Sequence, residues 1–200
     1  MTRRKSAAVV LSALAFASIA ATQDSVAHDA DSMEKKLNAI IQNADLAPGK
    51  VKPQRISFTD REVNAYFKRN GKAHLPTGVV DPEITIADER FVQSRAIVDL
   101  DAVRKSKDRS ILDPANLFLR GTVELRISGY VVASNGKGQF QLESATIGSL
   151  PVPKGVLQEL IYYYTRTPDY PEGFNLDKPF DLPASIREVT MTRGSATVVQ

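Results

Sequence analysis

The chain has 200 residues, 26 Lys+Arg against 23 Asp+Glu, and no cysteine. Without cysteine there are no disulfides, no thiol catalysis, no Cys-based metal site and no lipidated cysteine. Three of the basic residues are Arg3, Arg4 and Lys5; from residue 28 onward the balance is 23 against 22, so no basic stripe remains to release DNA counterions and nucleic acid is not an expected partner.

Those three basic residues precede an apolar run from Ala7 to Ala21, too short for a comfortable membrane span. Small residues follow at two cleavage positions, after Ala20 and after Ala27, so residues 1–27 read as a signal peptide and the protein as exported to the periplasm or beyond. The remaining ~170 residues suffice for one domain with an ordinary core.

Residues 28–54 read as a helix and linker. Asp31 or Ser32 is the expected cap, Met33, Leu37, Ile40, Ile41 and Ala44 form a stripe, and Pro48, Gly49 and Pro53 break the chain. This helix either docks on the domain or swings as an arm. The domain itself is 55–200. Its first element, "FTDREVNAYFKRNG" (58–71), has a Thr59/Glu62 capping box and a Phe58–Val63 staple. It continues as a Val63, Tyr66, Phe67 stripe and stops at Asn70-Gly71. Asn64 borders the stripe and is expected to bond nearby loop backbone.

From 79 to 147 the period is two. Val92, Ala96, Val98 and Leu100 oppose Gln93, Arg95, Asp99 and Asp101. Val123, Leu125, Ile127 and Val131 oppose Glu124, Arg126 and Ser128. Beyond an Asn135-Gly136 turn, Phe140 and Leu142 oppose Gln139, Gln141 and Glu143. Long antiparallel strands with one wet and one apolar face are expected. "DPANLF", between 102 and 121, suggests a helical turn.

In "IGSLPVPKGVLQELIYYY" (147–164), Pro151 and Pro153 end strand pairing and Pro153 suits a helix start. Val156, Leu157, Leu160, Ile161 and Tyr164 share the face expected to cover the sheet. Tyr163 falls at the margin. Tyr162 lies opposite, either exposed as a rim for a membrane surface or partner, or covered by the 167–179 loop. A final hairpin, "IREVTM" and "ATVVQ", turns at Arg193-Gly194.

No constellation for catalysis is visible. His74 has no histidine near it in sequence, Asp99 and Asp101 belong to a solvated strand face, and "SNGKG" lacks the phosphate-loop frame. Ser149 lacks the nucleophile elbow. The expectation is a non-enzyme with no cofactor and no metal.

The order of "ISFTDREVNAYF", amphipathic strands, "IGSLPVPKGVLQELI" and "PFDLPASIREVTMTRGSATV" resembles the bacterial tubular lipid-binding (TULIP-like) superfamily, especially its YpmS-like group. There a T-x-x-x-x-N-A helix and a G-x-L-P-(x)-P junction occur in the same order; where that group carries a transmembrane anchor, this chain has a cleavable signal. The resemblance covers 55–200 and implies an α+β fold, a curved antiparallel sheet around an amphipathic helix with one or two further N-terminal helices. It also implies an acyl-chain groove lined by Val98, Leu100, Val123, Leu125, Ile127, Phe140, Leu142, Leu157, Leu160, Ile161 and Tyr164, with Tyr162 and Tyr163 at the rim. The expected function is an exported lipid-binding or lipid-shuttling protein with transient membrane contact. The alternative is a non-enzymatic cell-envelope interaction module with a filled core, contacting protein or glycan. The oligomeric state is not legible.

Overall fold

The computed structural model describes residues 7–47, 50–75, 77–102, 121–165, 171 and 173–200; the side chains of 7–23, 71–74, 160 and 163–165 are outside that description, as is "DPANLF". Helix α1 (Ala7–Ala44) leads into β1 (Arg55–Thr59) and α2 (Asp60–His74). Four strands follow: β2 (Val79–Asp88), β3 (Phe91–Asp99), β4 (Thr122–Ser134) and β5 (Lys137–Ile147). The short β6 (Leu150–Pro151) precedes helix α3 (Lys154–Thr165), and β7 (Phe180–Asp181), β8 (Glu188–Thr192) and β9 (Ser195–Val199) complete the chain. The fold is α+β, as expected, around an antiparallel sheet that has nine strands among the described residues.

The expected start of the first helix at Asp31 or Ser32 is corrected: α1 runs through that point without interruption. Residues 7–44 contain no Gly or Pro to stop it. The two polar residues serve as tertiary contacts instead. Asp31 and Glu34 pair with Arg69, at 2.5 and 2.8 Å, and Ser32 Oγ donates to Glu62. Asp29 pairs with Arg61 at 2.8 Å. Ala30, Met33 and Ile40 are buried, so this part of α1 is docked on α2, while Ile41, expected on the buried stripe, is exposed. Among the described residues no helix is long and apolar enough to cross a membrane.

The Thr59/Glu62 capping box forms as read: Thr59 N–H donates to Glu62 at 2.8 Å and Glu62 N–H to Thr59 Oγ1 at 3.2 Å. Burial alone would push the Glu62 carboxyl up. Hydrogen bonds from Lys36, Ser32 and the Thr59 backbone, with the charge of Lys36, outweigh it and hold the group down from 4.5 to about 2.

The strand order is β1-β9-β8-β4-β3-β2, with β5 on the other side of β4. β3 leaves β4 at Phe91↔Tyr130, and β8 takes its place at Ala133↔Val189. The β8–β9 turn then reaches the outer edge of β2, where Gly194 N–H donates to the Ile86 carbonyl at 2.8 Å. The sheet therefore curls back on itself. Asn64 clamps the same edge, its amide bonding both the N–H and the carbonyl of Ile84 at 2.8 Å. It bonds backbone, as expected, but of a strand rather than a loop, and it blunts an edge otherwise open to pairing.

Asn135 and Gly136 turn β4 into β5 with φ of 52° and 74°, the left-handed pair a two-residue hairpin needs. Pro153 ends the extended stretch and its carbonyl accepts from Leu157 N–H at 3.0 Å, opening α3 where the prolines indicated. On α3, Leu157 is buried against Ala145 and Leu176, with Ile127, Phe140, Leu142, Val152, Ile161 and Phe174 around them. Val156, placed by the helical wheel on the same face, is 52% exposed: it lies in the first turn, beyond this cluster. Asp99 and Asp101 are not a free carboxylate pair. Asp99 Oδ1 accepts from the N–H groups of Asp101 and Ala102, and Asp101 Oδ2 accepts from Gly121 N–H.

Candidate binding surface

Period two sends Glu124, Arg126, Ser128, Tyr130 and Val132 of β4 to the face away from α3. Register then assembles rows across four strands. Glu83, Arg95, Arg126 and Thr146 form one, and Thr85, Gln93, Ser128 and Ser144 the next. Phe91, Tyr130 and Gln141 form a third. The first two rows line an open recess of about 350 Å³. A separate, smaller one of about 110 Å³ lies farther along β4 and β5, beside Tyr130, Val132, Gln139, Gln141 and an ion pair between Lys154 and Asp177.

Arg95 and Arg126 lie directly opposite each other, an arrangement that repels unless a counter-charge intervenes. Glu124 supplies it, with one oxygen 2.5 Å from Arg126 Nε and the other 2.5 Å from Arg95 Nε. The Arg126 hydrogen bond first, then that of Arg95, holds the Glu124 carboxyl below its ordinary range, while Glu124 raises Arg95. Ser128 and Ser144 hydroxyls bond each other at 2.8 Å. Gln93, Thr85 and Thr146 leave their side-chain polar groups to solvent.

The rings of Phe91 and Tyr130 meet at 4.9 Å between centroids, and Tyr130 remains 42% exposed. Opposite the Ser128–Gly129 step β5 is bulged, with Glu143 left unpaired between Leu142 and Ser144. Glycine is required at 129, since a Cβ would stand 2.5 Å from the Phe140 ring. Phe140 thus packs beneath the platform that carries Tyr130.

The residues expected to line an acyl groove divide into two groups. Ile127, Phe140, Leu142, Leu157 and Ile161 are brought together in the packed cluster under α3. Val98, Leu100, Val123 and Leu125 are half-buried on the same face at the opposite end of the strands. The side chains of Leu160, Tyr163 and Tyr164 lie outside the described residues. Tyr162, placed by the wheel in solvent, is half-buried. Asn175 Nδ2 bonds its hydroxyl at 2.5 Å, and Gln158 bonds Phe174 and Leu176 backbone at 3.0 and 2.7 Å. Residues 174–176, in the segment after α3, thus contact Tyr162 and Gln158.

Sequence reasoning overlooked the polar face as a unit. Alternation identified Gln93, Arg95, Glu124, Arg126 and Ser128 individually, but only strand register shows which become neighbours. No family model, curated protein or solved structure matches the chain.

Proposed function

We propose that the protein is an exported, non-catalytic cell-envelope binding module that takes its partner on the polar face of β2–β5. The observation that carries this reading is the pair of recesses along β4 and β5, with an exposed tyrosine lining the second, while the expected groove residues nearest α3 are packed. Glu124, at the end of the first recess, is tied to two arginines and is not free for acid–base work. Export is supported by the burial profile: residues 24–28 are exposed and burial begins at Asp29 and Ala30, so cleavage after Ala27 removes no buried side chain among the described residues.

The test is sedimentation of the purified protein with washed bacterial envelope. Ser144→Arg and Gln141→Arg, each verified as folded by circular dichroism, fill the recesses and should abolish co-sedimentation. Undiminished sedimentation of both folded variants rejects the reading.

A second reading, acyl-chain binding, keeps one specific support besides the family resemblance. Ala96, Leu125, Ile147 and Leu150 run across the apolar face at its far end, and Leu150 is 69% exposed. Each buried methylene would contribute about 0.8 kcal/mol. Native mass spectrometry of protein from its own envelope should then reveal a lipid adduct lost in Leu125→Ala; an adduct-free protein rejects it.

A further inference from the structure

Resting on the polar-face reading, we infer that the trough binds a neutral, polyhydroxylated chain, a glycan, with one sugar ring laid on Tyr130. Charge decides first. Arg95 and Arg126 are met in the trough by Glu124 and Glu83, and Glu124 bonds both guanidinium groups through Nε. An anionic ligand reaching the remaining N–H groups would face the carboxylates that already neutralise both guanidinium groups, so phosphate and carboxylate ligands are disfavoured. An apolar ligand fares worse, because it would strip water from Gln93, Thr85 and Thr146 and offer them no partner.

A sugar hydroxyl both donates and accepts, and so do the groups on offer. Gln93, Gln139 and Gln141 present amides, Thr85, Ser128, Ser144 and Thr146 hydroxyls, and Arg126 the N–H groups that Glu124 leaves unused. A pyranose also has an apolar C–H face, which needs an amphipathic ring to rest on. Tyr130 provides one, steadied by Phe91 behind it and exposed at the second recess. From Arg126 to Val132 the surface extends about 20 Å at 3.4 Å per residue, which suits a chain rather than a single sugar.

The experiment titrates the isotope-labelled protein with cellotetraose, maltotetraose and chitotetraose, and with tetragalacturonate as the anionic arm. At least one neutral sugar should shift the backbone amides of 91–95, 126–132 and 139–146, with an affinity unchanged between low and high salt. Tyr130→Ala, checked for an unaltered fold by its own spectrum, should weaken binding about fivefold to tenfold. If Tyr130→Ala unfolds, Gln93→Ala and Thr146→Ala together should weaken it instead. Absence of shifts with all three neutral sugars, undiminished binding in the folded variants, or tighter, salt-sensitive binding of tetragalacturonate overturns the inference. Should the neutral sugars fail while envelope sedimentation still depends on Ser144 and Gln141, only the glycan inference falls and the binding-module reading stands.

Discussion

Glu62 joins the capping box to the docking of α1, so Glu62→Gln isolates the charge at that junction. Glutamine can still accept from Thr59 N–H and cap α2, but it cannot form the ion pair with Lys36, 2.6 Å away in the wild type. Holding the carboxyl at about 2 rather than 4.5 corresponds to about 3 kcal/mol at 1.36 kcal/mol per pH unit. Lys36 is partly exposed, and solvent there trims the figure to about 2 kcal/mol. Because the folded pKa is depressed, this stability is fully present above the unfolded value and is lost as pH falls from about 4.5 toward 2. Urea denaturation of wild type and Glu62→Gln should therefore differ by about 2 kcal/mol at pH 7 and converge near pH 2. A difference that is flat with pH, or absent at pH 7, would refute the reasoning: the first would mean packing rather than charge, the second an ion pair that contributes nothing net.

Asn64→Ala leaves the Ile84 N–H and carbonyl without their partner at the edge of β2 and should cost about 1–3 kcal/mol in chemical denaturation, with faster hydrogen exchange at Ile84; unchanged exchange would show that the clamp does not protect the edge. Gly129→Ala forces a methyl to 2.5 Å from the Phe140 ring and should destabilise by about 1–3 kcal/mol, whereas Gly155→Ala, with nothing within 4 Å, should be neutral or slightly stabilising. Equal melting temperatures for the two glycine variants would contradict the packing of Phe140 and the Gln141 backbone against Gly129.

What the residues disclosed depended on the range of the forces involved. The Thr59/Glu62 box and the Asn135-Gly136 turn rest on contacts between near neighbours, and both appear where expected. Alternation also separated the two faces of β3, β4 and β5 correctly, because side-chain direction in a strand is a property of the backbone. The failures involve distant partners. Asp31 and Ser32 carry cap chemistry, yet Arg69 and Glu62, thirty or more residues away, claim them for helix docking. Tyr162 stays open in the sequence for a related reason: it falls on the polar arc of its helix, and that arc also holds Gln158, whose amide bonds the backbone of Phe174 and Leu176. A helical wheel sorts residues by polarity and cannot see a loop that satisfies polar groups by covering them.

The two faces of the sheet are mechanically linked, and this bears on how well the polar one can bind. On the inner side Phe140 fills the space left by Gly129, and the cluster around Leu157 fixes β4 and β5 from below. At the outer edge Asn64, Asp60 and Gly194 hold Ile84 and Ile86, so β2 has little freedom to slide. The register that aligns Glu83 with Arg95 and Thr85 with Gln93 is thus clamped at β2, while β3 and β4 pair continuously from Phe91↔Tyr130 to Asp99↔Thr122. A ligand meeting these rows finds them already ordered, and the free energy of each new hydrogen bond is not consumed in arranging the strands. The same side chains on a frayed edge would have to be ordered on binding, at about 0.5–1.5 kcal/mol for each mobile one. For the proposed trough, that difference ties affinity to stability: Asn64→Ala and Gly129→Ala, by loosening the strands beneath the rows, should weaken a ligand held there.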